Sequence, residues 1–132
     1  VEMNHDARII RLNSEFNPDS MKRWLGDSVG RWEGNTLVVK KKNHHAQQKF
    51  RAAIRHQILI SEGAEITERF TRVANNEILY QFEVNDDEAY KDVWKGEMPL
   101  RASQEKIYEY ACHEGNYAMA NILAGARAEE EN

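Results

Sequence analysis

Period-two alternation is the strongest regular pattern in the chain. Ile78, Tyr80, Phe82 and Val84 occupy alternate positions, with Leu79, Gln81 and Glu83 between them. Successive strand side chains point to opposite faces, so this spacing predicts a strand with one large apolar face and one mixed face. The preceding "EITERFTRV" predicts its partner, joined through Asn75-Asn76. Those two residues tolerate the left-handed conformation that a type I′ turn needs. A second hairpin is predicted in "SVGRWEGNTLVV", where Gly34-Asn35 separates a strand through Trp32 from one through Leu37 and Val39. Glycine first in a two-residue loop suits a type II′ turn. Further short strands are predicted at Ile9, Ile10 and Leu12, in "VWKGEMPLRAS", where Pro99 marks an edge or a bulge, and in "KIYEYAC". Gly26-Asp27-Ser28 reads as a tight turn.

The spacing changes in the tail. Met119, Ile122, Leu123 and Ala126 fall at i, i+3, i+4 and i+7, one apolar stripe of a helix. Asn116 stands where an N-cap belongs. Earlier, "AQQKFRAAIRHQILI" predicts a short middle helix with Phe50, Ile54 and Ile58 on one stripe, or a strand ending in "QILI". Six or seven short strands and one terminal helix predict a mainly β (α+β) fold. The expected architecture is an antiparallel β-barrel or half-barrel, lipocalin-like, formed by residues 1–132 as a single domain. A small barrel is either filled by side chains or holds one small ligand, and both readings stay open.

Composition narrows the function classes. The chain has 132 residues, 41% hydrophobic and 30% charged, with a net charge of −4, the balance of an ordinary globular domain. The acidic balance argues against nucleic acid as a partner, since such binders carry a basic excess. The short run Lys40-Lys41-Lys42 reads as a solvated strand end. One cysteine, Cys112, excludes an intrachain disulfide. No apolar run approaches the roughly 18 residues that span a bilayer, and no signal-peptide pattern is visible. A soluble protein, cytoplasmic or periplasmic and without a membrane partner, is the expectation.

Three groups of residues carry candidate chemistry. In "YEYACHEG", strand geometry puts Cys112 with Tyr108 and Tyr110 on one face and His113 with Glu109 on the other. His113 beside Glu109 is a candidate acid–base pair, or a histidine that orients a strand-to-helix corner. Glu114 fits the start of the last helix. On "EITERFTRV", one face carries Ile66, Glu68, Phe70 and Arg72, so Glu68 is a candidate base and Arg72 a candidate anchor for an anionic group. The alternative is that Thr67, Arg69, Thr71 and Val73 form the drier face and the charges are solvated. His44-His45 match no zinc spacing and read as a solvated loop, and no metal is expected. No phosphate-loop, dinucleotide or paired-cysteine motif is present, so no cofactor is expected. Trp24, Trp32 and Trp94, with Tyr80, Phe82, Tyr108 and Tyr110, supply flat apolar surface for a pocket or for packing.

Several blocks are specific enough to carry a resemblance. "NHDARII", "WLGDSVGRWEGNTLVV", "ERFTRV" and "YEYACHEGNYAMANILAGARAEE" resemble the C-terminal region of a widespread family of uncharacterised bacterial proteins, often longer and exported. A short free-standing version also resembles an orphan reading frame of a mobile gene cassette. The resemblance covers about three quarters of the chain and implies a fold rather than a reaction. Where the family typically has an aspartate this chain has Lys40, and where a histidine is common it has Glu65. The segment from Ala52 to Ile60 looks like an insertion.

Three functions follow from these readings. The first is a barrel that binds a small apolar or weakly anionic ligand, with Trp32, Arg72, Tyr80, Tyr108 and Tyr110 as binding residues. The second is a small cofactor-independent enzyme using Glu68, Glu109 and His113. The third is a homo-oligomeric interaction protein with no small ligand.

Overall fold

The computed structural model describes residues 7–49, 59–108 and 116–130. The chain divides into two compact units, Arg8–Gln104 in one and Val1–Ala7 with Glu105–Asn132 in the other. The larger unit is a six-stranded sheet in the order β1-β2-β3-β4-β5-β6. Its strands are β1 (Ile10–Leu12), β2 (Asp27–Glu33), β3 (Thr36–Lys42), β4 (Glu65–Ala74), β5 (Glu77–Asn85) and β6 (Trp94–Arg101). The mainly β expectation holds, and the sheet is open, with β1 and β6 as its two edges. The half-barrel alternative therefore stands in place of the closed barrel.

All neighbouring pairs are antiparallel except β1 with β2. The sheet is thus mixed rather than wholly antiparallel. A parallel pair needs a crossover of roughly a dozen residues or more, and the chain from Asn13 to Gly26 supplies it. The turn in that region closes earlier than the sequence implies. Gly26 N–H donates to Arg23 C=O at 3.0 Å, and Asp27 and Ser28 already belong to β2.

The first hairpin has the expected turn. Gly34 has φ +62, while Asn35 stays out of the left-handed region, as type II′ requires. The second loop, Asn75-Asn76, does not form the type I′ turn. Neither asparagine has positive φ, and the pairing shifts register between Arg72 and Ala74. An extra residue in one strand adds local twist, so the bulge does the work that the turn residues would otherwise do. Pro99 lies in the edge strand β6, where its missing N–H costs no ladder bond.

Cross-strand pairing sorts the side chains onto two faces. One carries Ile10, Val39, Ile66, Glu68, Phe70, Tyr80, Phe82, Val84 and Trp94. Val39, Ile66 and Val84 are buried there, and the rings form a continuous ladder. Phe70 stacks on Tyr80 at 4.8 Å, Tyr80 on Phe82 at 5.5 Å, and Trp94 meets Phe82 edge-on at 5.3 Å. The ladder closes over Gly96, where a Cβ would stand 2.5 Å from the Phe82 ring. Tyr80 and Trp94 flank that half-buried ring, so making room for the Cβ disturbs its stacking with them. Gly96→Ala is therefore expected to cost about 1–3 kcal/mol by overpacking, read as a lower urea midpoint. Gly34→Ala, with open space around the Cβ, is expected to cost only about 1 kcal/mol, the left-handed penalty.

In the smaller unit, α1 spans Ala118–Glu130. Ala118 N–H donates to Asn116 Oδ1 at 3.1 Å, which is the expected N-cap. The Met119, Ile122 and Leu123 stripe is present but exposed, and α1 buries none of its residues. Lys106–Tyr108 are not in a strand, so "KIYEYAC" is no strand over that part. The rest of it lies outside the described residues. Of the middle segment, Ala46–Lys49 form a 3-10 turn, Leu59 and Ile60 belong to no element, and 50–58 lie outside the described residues.

Candidate functional site

The aromatic face holds one buried carboxylate. Glu68 is 6% exposed, and both of its oxygens are engaged. Oε2 accepts from Arg8 Nη1 at 2.5 Å and Oε1 from the Tyr80 hydroxyl at 2.8 Å. Burial pushes the Tyr80 phenol up, and its bond to the Glu68 carboxylate adds to the shift. Tyr80 is therefore a neutral donor throughout the ordinary pH range. Lys41 shares this face through the Lys41–Ile66 pair. Burial lowers its ammonium; Glu68 opposes that shift and Arg8 reinforces it. The arrangement is that of an anchored ion pair: a carboxylate with two committed oxygens is a poor general base.

The opposite face is charged and forms a groove of about 660 Å3. Register builds it in two rows. Lys40, Thr67, Glu83 and Lys95 are cross-strand partners on β3, β4, β5 and β6. Arg31, Val38, Arg69, Gln81 and Glu97 form the next row, from β2 to β6. All nine residues line the groove. Val38 is 1% exposed and sits between Arg31 and Arg69 in that row, covered by its neighbours. Arg31 and Arg69 share one carboxylate at the rim: Arg31 Nη2 reaches Glu33 Oε1 at 2.5 Å and Arg69 Nη1 reaches Oε2 at 3.1 Å. Lys95 pairs with Glu83 at 2.6 Å, and Gln81 Nε2 donates to Glu97 at 2.9 Å. Lys40 has no ion pair among the described residues.

Two further buried aspartates hold loops in place. Asp27, 2% exposed, accepts from Arg11 Nη2 at 3.0 and 2.8 Å and from Asn17 N–H at 2.7 Å. Asp86, 3% exposed, accepts from Ser61 N–H at 2.7 Å and Ser61 Oγ at 2.6 Å. Burial alone would raise both carboxyls; the Asn17 amide and Arg11 for Asp27, and the Ser61 hydroxyl and amide for Asp86, outweigh it and hold both below the ordinary aspartate value. A depressed folded pKa gives stability that is full above the unfolded value and is lost as pH falls through the folded one. The urea midpoint is thus expected to hold from about pH 7 to about pH 5 and to fall below about pH 4. Asp86→Asn should flatten that acid limb.

The residues singled out from sequence distribute unevenly. Glu68 and Tyr80 come together, and Arg8 joins them from outside the expected set. Its signal was present in "ARIIRL", where Arg8, Ile10 and Leu12 share one period-two face. Arg72 does not join Glu68: its guanidinium donates to the Ala74 and Asn75 carbonyls at 3.3 and 3.1 Å. The drier face of β4 is the one with Ile66 and Glu68, while Arg69 and Val73 are exposed. Trp32 is 60% exposed and Tyr108 79% exposed. Trp24 is exposed and stacks on His45 at 4.4 Å. His44 is fully buried rather than solvated. The lysine run is not a uniform solvated end either, because Lys41 is half-buried on the aromatic face. Glu109, Tyr110, Cys112, His113 and Glu114 lie outside the described residues. Among the described residues no group of three or more His, Cys, Asp or Glu is placed to hold a metal ion, and no helix is long and apolar enough to cross a membrane.

Comparison with family models, curated proteins and solved structures finds no match.

Proposed function

We propose that the protein is a small-molecule-binding protein and that its ligand sits in the charged groove of the sheet. The observation that carries this reading is the groove itself. Its volume of about 660 Å3 lies within the range of small-ligand sites. Side chains from five successive strands, β2 to β6, line it, so its polar groups are fixed by a hydrogen-bonded sheet rather than by loops. Such preorganisation lowers the entropic cost of binding. The aromatic face supports the reading indirectly. Its rings stack on one another and its one carboxylate is committed to Arg8 and Tyr80, so the uncommitted charges lie on the other face.

The test is a thermal-shift screen against a metabolite panel, run on the native chain and on Thr67→Trp. Thr67 lies in the groove on a strand that favours large aromatic side chains. A binder raises the melting temperature in proportion to ln(1 + [L]/Kd). The proposal expects at least one compound that stabilises the native chain and leaves Thr67→Trp unmoved. A compound that shifts both proteins equally binds elsewhere and contradicts it.

A further inference from the structure

Charge within the groove is not evenly spread, and its layout defines a ligand class. At the β2-β3-β4 end, Arg31 and Arg69 share a single carboxylate, Glu33, and Lys40 lies two residues along β3 from Val38, the cross-strand partner of both arginines. Lys40 is exposed and has no ion pair among the described residues. This end therefore holds three cations against one anion, in a chain whose net charge is −4. At the β5-β6 end the balance reverses. Lys95 is matched by Glu83 at 2.6 Å, and Glu97 meets only the neutral amide of Gln81 at 2.9 Å. Arg69, Gln81 and Glu97 are consecutive cross-strand partners, so the two ends stand two strand spacings apart, about 10 Å.

We infer that the groove binds a small hydroxylated anion, a sugar acid or a sugar phosphate. This assignment rests on the groove being the ligand site. The anionic group of the ligand takes the Arg31–Lys40–Arg69 end, where guanidinium forks suit carboxylate and phosphate oxygens. Lys40 supplies the charge that Glu33 does not neutralise. The hydroxyl groups donate to Glu97, which keeps acceptor capacity beside its single bond from Gln81. Thr67, between the two ends, is a hydroxyl that both donates and accepts. A purely apolar ligand would leave these charges desolvated and unmatched, at a cost in affinity. A highly charged polyanion would meet Glu83 and Glu97.

Calorimetric titration with glucuronate, glucose 6-phosphate, glucose and inorganic phosphate tests the assignment, each on the native chain, Lys40→Gln and Thr67→Trp. Lys40 is exposed and makes no ion pair among the described residues, so Lys40→Gln should keep its melting temperature. The expected result is that glucuronate or glucose 6-phosphate binds at least about tenfold more tightly than glucose and than inorganic phosphate. Lys40→Gln should weaken that binding about threefold to tenfold, and added salt should weaken it further. The stronger of the two anions distinguishes a carboxylate from a phosphate ligand. Glucose binding as well as glucuronate, or Lys40→Gln leaving affinity unchanged, would overturn the anion assignment. If neutral compounds bind and Thr67→Trp blocks them, the groove stands and only the ligand class falls. If no probe binds and no panel compound depends on Thr67, both fall together.

Discussion

Replacing Glu68 with alanine is expected to destabilise the protein by about 3 kcal/mol, the lower end of the range for breaking a buried ion pair. Glu68 is 6% exposed and is the acceptor for both Arg8 and Tyr80. Without it, the Tyr80 hydroxyl loses its acceptor inside the ring ladder. Lys41, already penalised by burial, loses its attractive neighbour and keeps its repulsive one, Arg8. The effect stays below the top of the range because the Arg8 side chain is 24% exposed and can recover some water. The double variant Arg8→Met, Glu68→Leu separates ion pairing from packing. Apolar replacement of a whole buried pair is often neutral, so that variant should regain most of the loss. Urea denaturation of the four proteins gives the coupling. A Glu68→Ala cost below about 1 kcal/mol would place this carboxylate among exposed ion pairs.

The second large effect belongs to Asp86→Ala, with an expected cost of about 2–4 kcal/mol. Asp86 joins the loop before β4 to the turn after β5. It accepts from the amide and hydroxyl of Ser61, and Ala89 N–H adds a bond at 3.3 Å. Ser61 is itself 3% exposed, so its two donors have no water to turn to once the carboxylate is gone. A buried donor left unsatisfied costs its full desolvation penalty, which exceeds the net worth of the bond. Ser61→Ala should cost less alone and should add little on top of Asp86→Ala, because the two act as one unit. The neighbouring exposed Asp87 is the control; Asp87→Ala should change stability by less than about 0.5 kcal/mol. Equal effects at Asp86 and Asp87 would contradict the assignment.

The strands were legible because their signal is local. Ile78, Tyr80, Phe82 and Val84 alternate, Gly34 marks a turn, and Asn116 marks a helix start; each feature acts within a few residues. Turn chemistry failed at Asn75-Asn76, because the bulge near Val73 relieved the need for a left-handed turn. The groove was not legible, and the reason is register. Arg31 and Arg69 lie far apart in sequence and flank Val38 only because β2, β3 and β4 pair as they do. A shift of one residue would put both arginines on the aromatic face. Glu68 was found as a site residue for the wrong geometry, since its companion is Arg8 and not Arg72. The Arg8 contact joins the segment before β1 to β4 and has no local signature beyond the shared period of Arg8, Ile10 and Leu12.

Recognition of a small ligand by the charged face is tested most directly by a side-chain NMR titration with glucuronate. The methyl signals of Val38 and Thr67 and the side-chain amide of Gln81 report on the groove. The ring signals of Phe70, Tyr80 and Phe82 report on the opposite face. Saturable shifts at Val38, Thr67 and Gln81, with the three rings unmoved, are the expected result. Shifts confined to the rings, with Val38, Thr67 and Gln81 unmoved, would contradict it.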